Sequence, residues 1–227
     1  MPEATPLKPI TTCFLYGILD LGYVADREVA PMTSLLVAGG VDILQLRAKS
    51  RSKREIADFA RTMLPVTKAA GVPLIINDHP DLLREVSADG CHLGQEDAGI
   101  AEAREMAGRL CIVGKSTHNL EQARLAQQEG ADYIGFGPLF PTPTKPSAVA
   151  VGLAGLAELH QKVELPVFCI GGVKLANLDE VIRSGARRVC IVSDLLCAPD
   201  VLSQTSSVRA SLGASGQKAR SVPRESP

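Results

Sequence analysis

Eight short apolar runs recur along the chain, and longer amphipathic stretches separate them. Several runs are rich in Val and Ile without strict polar alternation, which is typical of strands that are covered on both faces. We interpret these runs as strands: Phe14–Leu19, Asp42–Leu46, Pro73–Ile76, Gly90–Leu93, Cys111–Val113, Tyr133–Gly135, Val167–Ile170 and Val189–Val192.

The stretches between the runs have helical periodicity. Arg51–Ala70 places its apolar residues three and four positions apart, and Leu120–Glu129 and Leu175–Ser184 are similar. Asn119 and Asn177 stand where an N-cap is expected. Several helices end in a glycine that leads into the next strand, as Gly130 does before Tyr133.

Eight such strand and helix units predict a single-domain α/β fold, a closed (β/α)8 TIM barrel. An open flavodoxin-like or Rossmann sheet is the alternative, but no G-x-G-x-x-G follows the first strand. We place the catalytic barrel at residues 13–202. The ends look different, and we predict a flexible N-terminus over 1–12 and a disordered tail over 203–227, where Ser, Gly, Ala, Arg and Pro replace apolar periodicity.

The bulk composition narrows the choice of partners. The net charge is −1, so the sequence predicts no nucleic-acid partner. No apolar run approaches the roughly 20 residues of a membrane span. The six cysteines form no C-x-x-C pair, and most lie in apolar runs. They are typical of buried thiols in a reducing cytoplasm, which is the expected location.

Polar and cationic side chains follow nearly every predicted strand. In a (β/α)8 barrel the carboxyl ends of the strands carry the chemistry, so these side chains are expected to meet at one mouth. Asp78 and Asp97 follow neighbouring strands and could share a hard cation such as Mg²⁺. Gly171 and Gly172, with the turn before Ser193, could bring backbone N–H groups to a phosphate. The cations that could surround a polyanion are Arg47, Lys49, Lys115 and Lys145.

Plainer interpretations of the same residues remain open at this point. A lone Lys after a strand is usually solvated, and Asp78 or Asp97 could simply cap a helix. His92 lies within a strand, where packing or a hydrogen bond is the expected role. His79 and His118 lie at the predicted mouth and are open to either interpretation.

The ordered set of motifs resembles the thiamine phosphate synthase family over roughly Leu15 to Leu196. The segments that carry this resemblance are Q-L-R-A-K from Gln45, I-N-D from Ile76, H-L-G-Q-E-D from His92, G-K-S-T-H from Gly114, D-Y-I-G-F-G-P-L-F-P-T-P-T-K from Asp132, I-G-G-V from Ile170 and V-S from Val192. His79 departs from the family pattern, which often has another polar or cationic residue after the aspartate.

The resemblance implies a transferase that joins a pyrimidine diphosphate to a thiazole phosphate with Mg²⁺. It also implies that no protein nucleophile is needed, because a thiazole nitrogen attacks the pyrimidine methylene carbon. Asp78 and Asp97 would bind the metal, and Arg47, Ser116 and Lys145 would be catalytic. The pyrimidine diphosphate would be held by Gln45, Arg47, Lys49, Asn77, Ser116 and Lys145. The thiazole phosphate would be held by Thr142, Thr144, Gly172, Val192 and Ser193.

Two other functions fit the same fold. A thiazole tautomerase, which acts on thiazole carboxylate phosphate, would need a histidine for proton transfer, and His118 is the candidate. A catalytically silent phosphate-binding barrel would need the same charged groups. Retention of Arg47, Asp78, Asp97 and Lys145 together favours the synthase. A homo-oligomer is possible for each of these functions.

Overall fold

A computed structural model describes residues 5–108, 110–142, 144 and 148–220, without the side chains of 214–220. Eight parallel strands form a closed barrel in chain order, with β1 hydrogen-bonded to β8. The predicted (β/α)8 fold is therefore confirmed, and the open-sheet alternative is wrong. The strands are β1 Leu15–Asp20, β2 Ile43–Arg47, β3 Leu74–Asn77, β4 Gly90–Leu93, β5 Ile112–Thr117, β6 Tyr133–Phe136, β7 Val167–Cys169 and β8 Arg188–Ile191.

Helices follow the strands and cover the outside of the barrel. The α-helices are α1 Val29–Ala38, α2 Lys53–Ala69, α3 Leu83–Val86, α4 Ile100–Ala107, α5 Leu120–Gln128, α6 Leu156–Lys162, α7 Leu178–Arg183, α8 Ser193–Leu196 and α9 Val201–Arg220. Asn119 caps α5 by accepting a hydrogen bond from Gln122 N, as predicted. Asn177 does not cap α7 through its side chain, which instead bonds to Lys174 N and Gly172 O. Within the described residues, each helix is too short or too polar to cross a bilayer.

The strands divide their side chains between two cores. Residues that point outward pack against the helices in the larger core, while alternate residues fill the barrel. Three rings, Tyr16, Tyr133 and Phe168, meet edge to face inside it, with centroids 5.3 to 5.7 Å apart. Gly114 makes room for this cluster, because a Cβ there would lie 2.1 Å from the Tyr133 ring. The interior is therefore filled below the mouth, as in other barrels of this size.

The N-terminal segment, which we predicted to be flexible over 1–12, contacts the barrel through residues 5–12; residues 1–4 lie outside the described part. Lys8 N donates to Gly71 O at 2.9 Å, and Thr5 Oγ1 donates to Ala69 O at 2.9 Å. Ile10 is buried in the interior core. Arg188 donates to Thr11 O at 2.8 Å. These contacts close the amino end of the barrel.

The C-terminal segment, which we predicted to be a disordered tail from Ser203, continues the helix α9 over its described residues. Val208 is fully buried and Thr205 Oγ1 is bonded to Val201 O at 2.7 Å. Arg209 forms an ion pair with Asp42 at 3.4 Å. Val201, Thr205, Val208 and Leu212 recur at helical spacing and bury one face, a short pattern diluted in the sequence by Ser and Ala. Residues 221–227 of the predicted tail lie outside the described part.

Candidate active site

A cavity of about 190 Å³ opens at the carboxyl ends of the strands. Successive side chains of a strand point to opposite faces, which explains which of them reach the cavity. The inward-facing positions of β2, β3 and β5 are occupied by Gln45, Arg47, Asn77 and Ser116. The predicted site residues that line this cavity are Gln45, Arg47, Asn77, Ser116, Thr142, Thr144, Gly172, Val192 and Ser193. Lys145 lies outside the described residues, and so does residue 143.

A second cavity of about 300 Å³ adjoins the first and is lined by Lys49, Asp78, His79 and Asp97 among others. Asn77 lines both cavities, so the two share a wall. Within the described part, the residues that the resemblance assigns to the substrates or the metal therefore line one or other of these cavities. Arg47 lies with the hydroxyls and glycines in the first cavity, and the second holds Lys49 beside the two aspartates.

The carboxyls of Asp78 and Asp97 affect each other's pKa. Burial raises the pKa of Asp78 above its ordinary value of 3.8; the Lys49 ammonium lowers it, and the facing Asp97 carboxyl raises it further. Burial also opposes ionisation of Asp97, but the hydrogen bond from Gly94 N and the contact with Asp78 outweigh burial and lower its pKa. Lys49 Nζ donates a short hydrogen bond to Asp78 Oδ2. Two carboxyls that compete for ionisation in this way attract a cation.

Neither aspartate caps a helix, so the plainer interpretation is wrong for both. The residue before α4 is Gly99, whereas Asp97 Oδ2 accepts from Gly94 N at 2.6 Å within its own loop. The residue before the turn Pro80–Leu82 is His79, and Asp78 precedes it with a left-handed backbone of φ 63°. In the described part of the chain, no three His, Cys, Asp or Glu side chains cluster as a ready-made metal site.

Arg47 is held by an acidic residue that the sequence analysis missed. Its Nη1 lies 2.5 Å from Asp20 Oδ2, and the Asp20 side chain is 4% exposed. The other Asp20 oxygen accepts from Gly22 N at 2.9 Å. Asp20 ends β1 next to Arg47 in the sheet register, so the strand pairing itself brings the two together. The guanidinium is thereby fixed at the mouth with donors left for an anion.

The glycine turn after β7 approaches another loop closely. Gly171 and Gly172 have φ of 92° and 66°, and a Cβ on Gly172 would lie 2.7 Å from Phe140 Cβ. Asn177 Nδ2 donates to Gly172 O at 2.9 Å and fixes the turn. Lys174, which the sequence analysis did not single out, lines the same cavity. This end of the site thus combines exposed backbone with a cation.

The other predicted groups divide between the cavity and the outer core. Lys115 points out of the barrel, where its Nζ lies 3.5 Å from Ala98 O, so it does not line the main cavity. Thr144 Oγ1 is 3.0 Å from Tyr23 OH, a partner not predicted. His118 lines the cavity and its Nδ1 is bonded to Gly137 O.

The floor of the site is polar as well as aromatic. His92 Nε2 lies 2.9 Å from Ser116 Oγ, and Nδ1 lies 3.1 Å from Tyr133 OH. The predicted hydrogen-bonding role of His92 is confirmed. Burial raises the pKa of the neighbouring Cys91 thiol to about 12, which keeps it protonated and unreactive.

Comparison with known proteins agrees with this arrangement. Residues 15–195 match the family model described as thiamine monophosphate synthase. The thiamine-phosphate synthase of Halalkalibacterium halodurans is 43% identical over 188 residues, which cover 82% of this chain and 89% of that protein. The enzyme of the same name from Chloroflexus aurantiacus is 39% identical over 206 residues, covering 90% and 95%. A thiamine phosphate pyrophosphorylase structure from Pyrococcus furiosus superposes with a TM-score of 0.83 at 31% identity, covering 92% of this chain and 99% of that one.

Proposed function

Since the chain belongs to the thiamine monophosphate synthase family, we propose that it condenses 4-amino-2-methyl-5-hydroxymethylpyrimidine diphosphate with hydroxyethylthiazole phosphate, giving thiamine phosphate and diphosphate. The protein is an enzyme of the transferase class, and the synthase activity predicted from the sequence is the one that its relatives carry. The observation that carries the proposal is the pair of adjoining cavities. At one corner of the mouth, Arg47 of the first cavity and the Lys49, Asp78 and Asp97 group of the second adjoin through Asn77, and the Gly171–Gly172 turn lines another corner of the first cavity.

The diphosphate belongs in the first corner. Arg47 offers planar donors, and Lys49 offers a point charge beside Asp78. Gln45, Asn77 and Ser116 supply amide and hydroxyl groups for the pyrimidine. Lys145 is assigned to the same diphosphate by the resemblance alone.

Mg²⁺ suits the acidic pair in this corner. Hard cations take one or two carboxylates together with substrate phosphates, and Asp78 and Asp97 supply the carboxylates. The fit rests on their competition for ionisation, which a nearby cation would relieve. When bound, the metal would neutralise charge on the departing diphosphate.

The thiazole phosphate belongs in the second corner. The Gly171–Gly172 turn exposes backbone to the cavity, and the Ser193 hydroxyl and Lys174 lie on the same wall. Thr142 and Thr144 come from the loop that Gly172 touches. The same segment of the sequence contains Lys145, which the resemblance assigns to the diphosphate.

The chain's own residues would act by binding and orientation. The nucleophile is the thiazole nitrogen, which attacks the pyrimidine methylene carbon as the bond to the diphosphate oxygen breaks. Arg47 and Lys145 would stabilise the negative charge that grows on the leaving diphosphate, and Ser116 would bind beside it. Holding the two rings in one cavity supplies proximity. No protein nucleophile is required by this reaction.

The assay is direct. Purified protein with both substrates and Mg²⁺ should form thiamine phosphate and diphosphate in equal amounts, and omission of either substrate should abolish both products. Isomerisation of thiazole carboxylate phosphate without diphosphate release would instead support the tautomerase, with His118 as its acid or base. Binding of both phosphates without any product would support the silent barrel. A cytoplasmic location and a homo-oligomer stay predictions.

A further inference from the structure

Five polar side chains form one continuous chain through the interior of the barrel. Gln45 Nε2 lies 2.6 Å from Tyr16 OH, and Tyr16 OH lies 2.9 Å from Tyr133 OH. The chain continues from Tyr133 through His92 to Ser116, over the 3.1 and 2.9 Å contacts given above. It begins at one residue assigned to the pyrimidine diphosphate and ends at another, and it passes through three residues that have no assigned role.

Hydrogen-bond chemistry gives this chain a direction. An amide nitrogen can only donate, so the Tyr16 oxygen accepts from Gln45. Of the described residues, Tyr133 supplies the acceptor for the proton of Tyr16. The proton of Tyr133 then points to His92 Nδ1, which leaves the histidine proton on Nε2. Nε2 in turn donates to Ser116 Oγ.

We propose that this directional chain fixes Ser116 as a hydrogen-bond donor toward the pyrimidine diphosphate, with Tyr16, Tyr133 and His92 as positioning residues. The proposal rests on the function proposed above. Because Ser116 Oγ accepts from His92, its own proton is directed away from the histidine, and Ser116 lines the cavity. A donor held in this way suits an anionic substrate better than a freely rotating hydroxyl does.

Burial keeps both phenols of this chain protonated. Both tyrosine side chains are fully or almost fully buried. Loss of solvent raises the pKa of Tyr16 and of Tyr133 well above the ordinary value of 10, so both phenols keep their protons. Each phenol can therefore receive one hydrogen bond and pass one on, as the chain requires.

The tautomer of His92 is the first test. The protein has four histidines, so [15N]histidine labelling gives a simple spectrum, and His92→Gln identifies the His92 signals by their loss. We expect the proton on Nε2 in the wild-type protein, and a mixture of tautomers in Tyr133→Phe. A proton on Nδ1 in the wild-type protein would overturn the proposal, because Ser116 would then donate its own proton to His92 Nε2 and could only accept from the substrate. This readout does not depend on turnover, so it separates failure of the chain from failure of the proposed function.

A double-mutant cycle is the second test. Tyr133→Phe should raise the KM for the pyrimidine diphosphate about 3- to 10-fold, the range of a single net hydrogen bond, and leave the KM for the thiazole phosphate unchanged. His92→Gln, whose amide can still donate to Ser116, should raise the KM for the pyrimidine diphosphate less than His92→Leu does. In a Ser116→Ala background, Tyr133→Phe should have no further effect, since it acts through that hydroxyl.

The matched control is Cys91→Ala, the neighbour of His92 on β4. Cys91 packs in the outer core and carries no part of the chain of hydrogen bonds. It should lower the melting temperature and leave both KM values unchanged. If Tyr133→Phe and Ser116→Ala give fully additive losses, or if Cys91→Ala reproduces the change in KM, the interior chain is structural packing and the proposal is wrong.

Discussion

Gly172→Ala tests whether the glycine turn after β7 is needed for its backbone shape or for the close approach of a second loop. Gly172 has φ 66°, and an alanine Cβ would lie 2.7 Å from Phe140 Cβ and 3.0 Å from Pro141 O. Both are closer than side chains normally tolerate, so the loop that leads to Thr142 must move. Under the proposed function, this loop holds the thiazole phosphate.

Gly130→Ala provides a control with the same backbone cost. Gly130 has φ 84°, and no atom lies within 4 Å of where its Cβ would be. A left-handed alanine costs roughly 1 to 2 kcal/mol, and a chain of this size loses about 2 to 4 °C per kcal/mol. Both variants should therefore melt about 2 to 8 °C lower than the wild-type protein, with Gly172→Ala the lower of the two.

Kinetics then separate the two variants. Gly172→Ala should raise the KM for the thiazole phosphate about tenfold or more, because small displacements of binding groups are costly. The KM for the pyrimidine diphosphate should change little, and Gly130→Ala should leave both values unchanged. Equal losses for both substrates in Gly172→Ala would refute the division of the mouth into two phosphate corners.

Three further predictions concern the metal, the last helix and a buried histidine. Asp97→Asn keeps an acceptor for Gly94 N but loses a charge, so turnover should fall and the Mg²⁺ requirement should rise with little change in melting temperature; superimposable Mg²⁺ curves would exclude Asp97 as a ligand. Val208→Ala removes two fully buried methyl groups and should cost about 2 kcal/mol of unfolding free energy by urea titration, whereas the exposed Ser207→Ala should stay within about 0.5 kcal/mol; equal effects would mean that α9 is not docked. Burial lowers the pKa of His160 from 6.5 to about 4, so the unfolded chain binds more protons over that range and stability should fall as pH drops through it; an unchanged pH slope in His160→Gln would contradict this.

The barrel could be predicted because each strand corresponds to a short apolar run in the sequence. Tyr133–Gly135 and Val189–Val192 are short apolar runs, and the structure places β6 and β8 within one residue of those limits. The largest error was in β5, which extends to Thr117 rather than ending at Val113. Its last four residues include Gly, Lys and Ser, which have low strand propensity, and pairing with β4 and β6 overrides that preference.

The convergence of the candidate site residues was predictable for the same reason, since a barrel brings the residues after its strands together. What the sequence could not show was partnership across the barrel. Asp20 and Arg47 are 27 positions apart and meet through the register of β1 and β2. Tyr16 and Tyr133 are 117 positions apart on strands that are not neighbours, and they meet because the barrel closes. Asp20 could have been found by looking for a polar partner of Arg47 among the inward-facing residues of the neighbouring strand.

The helix α9 was not predicted, for a different reason. Val201, Val208 and Leu212 are separated by Ser, Gln, Thr and Arg, so their mean hydropathy is unremarkable. The helix is stabilised by its docking on α1, α7 and α8 rather than by its own propensity. Regular spacing of a few apolar residues was the available signal.

The carboxylate of Asp42 joins the two ends of the chain, and this bears on when the protein can fold. It accepts hydrogen bonds from Phe14 N and Leu15 N and forms ion pairs with Lys8 and Arg209. Contacts between residues so far apart in the sequence form late in folding, because the chain must lose the entropy of closing a long loop before the contact stabilises it. During synthesis, β1 lacks its β8 neighbour until residues 188–191 have emerged. We expect the growing chain to expose the unpaired edge of β1 until β8 pairs with it, which makes that pairing the step that closes the barrel.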